Sequence, residues 1–139
     1  MEKNFETLAP KYFQEGNSCS EAIAMAAVEL GYTGCEIINM ATSFSGGMGS
    51  GCLCGAVSGA QLVLGALHGK NKDNIARSLA REFYLRFTSI HKVTCCKVLT
   101  RNFKDFHSPE RKNHCVNMVQ TAGKILDDIL VELKEKTSV

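Results

Sequence analysis

Hydrophobic positions along this chain recur at helical spacing almost from end to end. Phe5, Leu8, Tyr12 and Phe13 mark a first helix that stops near Gly16. Ser18 followed by Glu21 is a capping box, and it opens a second helix running to about Leu30, with Gly31 as its stop. A short segment, 36–42, leads into the loop Ser45-Gly-Gly-Met-Gly-Ser-Gly51, and a third helix runs from near Cys54 to near Gly69. Ile75, Leu79, Phe83 and Phe87 fall at steps of four on one face, predicting a fourth helix from Lys72 to about Ile90. A short fifth helix is expected over 94–103. Ser108-Pro109-Glu110 supplies an N-cap and an N1 proline for a last helix, whose stripe is Cys115, Val119, Ala122, Leu126, Ile129 and Leu133. Alternating Val/Thr-rich runs are missing. The pattern therefore predicts an all-α fold, a single-domain bundle of about five or six helices over 1–139, with no repeat or linker dividing it.

Composition adds one unusual element. The 139 residues carry 45% apolar and 22% charged side chains, an ordinary globular balance, but also 7 cysteines and 12 glycines. An odd number of thiols cannot pair completely within one chain, and in a chain that reads as cytoplasmic it points to metal or redox chemistry. Four of them head helical stripes. Cys19 shares a face with Ile23, Ala26 and Leu30, Cys54 with Val57, Gln61 and Leu64, and Cys96 with Leu99 and Phe103, while Cys115 begins the last stripe. Helix N-termini favour negative charge and so lower a thiol pKa, and the thiolate is the form that attacks disulfides and binds metal. Periodicity assigns each residue a face; it does not say whether the four faces meet, and buried cysteines that merely pack are the alternative.

The remaining features narrow the field. A formal net charge of +2 gives no field able to gather nucleic acid or a membrane surface. The start of the chain has no signal-like apolar core, and the longest apolar stretch, 56–67, is too short and too broken to span a bilayer, so a cytoplasmic location is expected. The glycine loop lacks a Gly-Lys-Ser/Thr and a preceding strand, so it reads as a tight approach placing Cys54 at a helix end, with Gly59 and Gly65 allowing close helix packing. His68 and His114 read as surface residues without metal-ligand spacing, Asp127, Asp128 and Glu132 as a solvated face, and Lys72, Arg77, Arg81 and Arg86 as a solvated basic stretch. Cys95 and Cys96 point about 100° apart on a helix, and Cys96 takes the inward role. Cys52 reads as a loop thiol, with a resolving thiol or fifth ligand as the alternative, and Cys35 has no stripe and no expected role. A homodimer burying the face of Phe83 and Phe87 is compatible with so small a bundle.

Several of these residues fall in a known order. Asn17-Ser-Cys19-Ser-Glu-Ala22, the loop Gly46 to Gly51, Cys54-Gly-Ala-Val-Ser-Gly59, Cys96-Lys-Val-Leu99 and Cys115 with its helix together resemble the C_GCAxxG_C_C family of redox-active proteins. The resemblance implies that Cys19, Cys54, Cys96 and Cys115 are its four characteristic cysteines, serving both as candidate catalytic thiols and as candidate metal ligands. A similar domain accompanies the haem domain of split-Soret cytochromes, where it looks like a non-haem iron or iron–sulfur site. This chain has no Cys-x-x-Cys-His, so covalent haem is not expected. The expected function is accordingly redox or electron transfer with a protein partner. In it the four thiols hold an iron–sulfur cluster or iron, or cycle between dithiol and disulfide. The alternative is a structural four-cysteine zinc site in a non-enzymatic interaction domain, against which stands the absence of short C-x-x-C knuckles.

Overall fold

The computed structural model describes residues 3–105 and 108–137. These form seven α-helices: α1 (Phe5–Gln14), α2 (Cys19–Glu29), α3 (Glu36–Thr42), α4 (Gly55–His68), α5 (Ala76–His91), α6 (Cys96–Leu99) and α7 (Pro109–Thr137). Among the described residues extended pairing is limited to one isolated antiparallel bridge, Leu53 with Cys95, so the all-α expectation holds. No helix of the described residues is long and apolar enough to cross a membrane.

The helix starts follow their local chemistry. Asn4 caps α1 in a reciprocal box with Thr7, and the Ser18 hydroxyl accepts from the Glu21 amide while the Glu21 carboxylate accepts from the Ser18 amide at 2.9 Å. Ser108 accepts from the Arg111 amide at 3.2 Å, directly before Pro109 at N1. Helix α2 ends as Gly31 turns left-handed and Tyr32 N–H donates back to Ala27.

Helix α1 packs on α2 and α7, α2 on α4, and α5 closes the bundle against α4 and α7. Phe5, Ile23, Val63, Leu64, Phe83, Phe87, Val119 and Leu126 are wholly buried in the shared core. Phe83 and Phe87 therefore serve this chain's own interior and are not a face for a second copy.

Three expectations need correction. Helix α5 begins at Ala76 rather than Lys72, because Lys72 and Asn74 amides both donate to Gly69 and Asn74 adopts a left-handed conformation, forming a turn that His68 and Asp73 close. The fifth predicted helix shrinks to Cys96–Leu99, since residues 94–96 spend their backbone groups on the bridge to 52–54. The acidic face of α7 is not simply solvated. Asp127 is half-buried and accepts the Phe5 and Glu6 amides at 2.9 and 3.0 Å, capping α1 from a neighbouring helix. Glu132 grips Arg86 with two bonds of 2.7 and 2.9 Å, which also takes Arg86 out of the solvated basic stretch.

Candidate functional site

The four stripe-heading cysteines come together. Cys19, Cys54, Cys96 and Cys115 all line one cavity of about 240 Å³. Its wall is completed by Phe13, Leu99 and Met118 on the apolar side and by Ser18, Ser45, Arg111 and Lys112 on the polar side. Three local devices produce this convergence.

The first is the approach of α4 to α2. A Cβ built at Gly59 would stand 2.9 Å from the Ser20 Cα and 3.0 Å from its carbonyl oxygen, and one at Gly55 would meet the Cys19 Cβ at 3.2 Å. A side chain at Gly59 would meet the α2 backbone and one at Gly55 would crowd Cys19 and Ser20, so these two glycines, one turn apart, let α4 lie on the first turn of α2 and bring Cys54 beside Cys19. Ser20 is held in place by its hydroxyl, which donates to Ala41 at 2.8 Å. Gly65, expected to share this packing role, faces open space instead.

The second device is the bridge between 52–54 and 94–96. Cys54 N–H donates to Thr94 at 2.7 Å and Cys96 N–H donates to Cys52, which fixes Cys54 and Cys96 at the ends of their helices and side by side. The third is the glycine loop. Residues 46–49 run left-handed in succession, and a Cβ at Gly47 would lie 2.7 Å from the Cys52 amide nitrogen and 2.9 Å from the Cys96 Cβ. The loop thus folds over Cys96 as no bulkier residue would permit. It cradles a cysteine rather than a phosphate.

The other thiols stand apart from the cavity wall. Cys95 is half-buried with its thiol donating to Gly51 at 3.5 Å, while Cys52 and Cys35 are exposed. Of the histidines, His114 is half-buried and not a surface group: its Nε2 donates to Leu99 at 2.8 Å and Phe103 packs on its ring, tying α6 to α7. His68 pairs with Asp73 and His91 with Thr121. His107 lies outside the described residues.

The electrostatics separate the four thiols. A hydrogen bond between Cys19 and Cys115 raises the Cys19 pKa well above the ordinary thiol value, with burial and the neighbouring sulfurs adding to it. The same bond lowers Cys115 to about 7, against the opposing effect of burial and with help from Arg111. Burial pushes Cys54 to about 11, although the Ala56 and Val57 amides at the start of α4 pull the other way. Burial also raises Cys96, opposed by Arg111, whose guanidinium donates to the Cys96 sulfur at 3.5 Å. Of the four, Cys115 alone is pushed towards the thiolate, while Cys19, Cys54 and Cys96 are pushed towards the thiol.

That division bears on metal. Among the described residues no three His, Cys, Asp or Glu side chains form a group that could hold one ion.

An all-α chain that gathers four widely separated cysteines around one cavity, with a Gly-x-x-x-Gly contact beneath them, is a cysteine-site helical protein. The profile of the family described as "Putative redox-active protein (C_GCAxxG_C_C)" matches residues 17–129, and the chain belongs to that family. No curated protein and no solved structure matches it.

Proposed function

We propose that the protein is a dithiol–disulfide redox protein in which Cys115 and Cys19 are the reacting pair. The observation that carries this reading is that both residues line the one cavity, where their mutual interaction lowers the Cys115 pKa to about 7 and raises that of Cys19, which leaves Cys115 as the nucleophile and Cys19 as its protonated partner. Oxidation removes two electrons and two protons from the pair and forms one sulfur–sulfur bond; a protein dithiol reverses it and becomes a disulfide in turn. Cys54, held protonated by burial, and Cys96, held by Arg111, keep the chamber a wall of soft, weakly hydrogen-bonding groups around the pair.

The test is a thiol count by alkylation and intact mass after equilibration with excess oxidised or reduced dithiothreitol. The wild-type chain and Cys35→Ser are expected to lose two alkylatable thiols reversibly on oxidation. Cys19→Ser and Cys115→Ser are expected to lose none as an internal pair. Retention of the two-thiol change in both variants would place the reacting pair elsewhere.

A further inference from the structure

Among the described residues, the charged groups that line the cavity holding the cysteine pair are cationic. Among the described residues lining it, Arg111 and Lys112 carry charge and none is acidic. The adjoining groove shares Gly46, Cys96, Thr100 and Arg111 with the cavity and adds Lys97, and none of the described residues that line it is a carboxylate. Lys112 is exposed and sits 6.0 Å over the Phe13 ring, at the solvent side of the wall. The apolar lining comes from Phe13, Leu99 and Met118. At about 240 Å³ the space is smaller than the roughly 300–1,000 Å³ of pockets that enclose drug-sized ligands. It accepts something short: a sulfur flanked by a few methylenes, with an anionic group at the end.

Resting on the dithiol reading above, we propose that the substrate class is the disulfide of a small carboxylate-bearing thiol, its carboxylate taken by Arg111 and Lys112 and its sulfur presented to Cys115. The Cys115 thiolate attacks one sulfur of R–S–S–R; that bond breaks, a Cys115–S–S–R mixed disulfide forms and R–S⁻ leaves. The Cys19 sulfur then attacks Cys115 Sγ, expelling the second R–S, which takes up the Cys19 proton. Two electrons pass from the protein to the substrate, giving one thiolate, one thiol and a Cys19–Cys115 disulfide. Guanidinium and ammonium groups beside the attacked bond also favour the departing thiolate. Hydroxyls of Ser45 and Ser18, bonded to each other at 2.8 Å, supply further polar groups on the same wall.

Three probes of matched length and different charge test this: 3,3′-dithiodipropionate (anionic), bis(2-hydroxyethyl) disulfide (neutral) and cystamine (cationic). Each is mixed with the reduced protein at pH 7, and Cys19–Cys115 disulfide formation is followed by acid quench and mass spectrometry. The anionic probe is expected to react about ten-fold or more faster than the neutral one, with cystamine slowest, and added salt is expected to narrow the spread. Lys112→Glu and Arg111→Gln are expected to bring the anionic-to-neutral ratio towards one. Because it is a ratio, it is insensitive to any change these variants make in Cys115 itself. In Cys19→Ser the anionic probe is expected to remain attached to Cys115. Equal rates for the three probes, or a ratio unmoved in both variants, would overturn the substrate assignment while leaving the dithiol pair intact. Failure of all three to oxidise the pair would instead overturn the dithiol reading on which the assignment rests.

Discussion

Gly59 of α4 lies so close to Ser20 of α2 that an added methyl group would stand 2.9 Å from the Ser20 Cα. This contact is backbone against backbone, so no side chain can swing away to relieve it. Gly59→Ala is expected to cost about 1–3 kcal/mol of stability, the usual range for overpacking. It should also part Cys54 from Cys19. Gly65→Ala, further along the same helix and facing open space, is expected to be neutral or to stabilise by up to about 1 kcal/mol through helix propensity. Urea unfolding of the two variants checks the contrast, and equal effects would remove the packing role assigned to the glycine pair.

Thiol reactivity should follow pH through the Cys115 midpoint of about 7. Below it Cys115 is a thiol; the thiolate fraction, and with it the rate of alkylation, rises as pH climbs through the midpoint and then levels off. Cys54, pushed up to about 11, should stay unreactive over the same range. Removing the Arg111 charge with Arg111→Gln should move the Cys115 midpoint upwards, since that guanidinium favours the thiolate. Iodoacetamide labelling against pH, read peptide by peptide, measures both.

Asp127 gives α1 two of its first hydrogen bonds from across the helix interface. Asp127→Ala leaves the Phe5 and Glu6 amides without these acceptors and should destabilise the chain by about 1–2 kcal/mol. Asp127→Asn keeps one acceptor oxygen and should fall between. Thermal unfolding by circular dichroism orders the three proteins.

Much of this fold was legible because its signals are local. Ser18 with Glu21, and Ser108 with Pro109, announce their helices through groups three or fewer residues apart. Steps of three and four assigned Cys19, Cys54, Cys96 and Cys115 to their faces, and the structure brings those faces to one cavity. The unreadable parts depend on distant partners. Asp127 looks like any exposed acid until α1 arrives with its unpaired amides. Gly59 and Gly65 are indistinguishable on the α4 sequence, and only the position of Ser20 separates them. The inward role of Cys96 was legible, but the bridge of Cys95 to Leu53 beside it was not, a pairing that no alternating pattern foreshadows. Phe83 and Phe87 form a stripe equally suited to a partner or an interior, and here they complete the interior.

On the dithiol reading, stability should not depend on metal. The apolar core runs through α1, α2, α4, α5 and α7, and no three potential ligands among the described residues form a group for one ion. Protein prepared without oxygen is therefore expected to be colourless, with iron and zinc well below one per chain and an unfolding midpoint unchanged by a chelator. A brown protein with stoichiometric iron and sulfide would reassign the four thiols to a cluster.

The most direct test of the central claim is to identify which sulfurs join. The protein is oxidised with a stoichiometric disulfide, free thiols are blocked in acid, and the peptides are mapped without reduction. The predicted result is a single linkage, Cys19 to Cys115, that a dithiol removes and reoxidation restores. A different linkage, or no internal linkage at all, would contradict it.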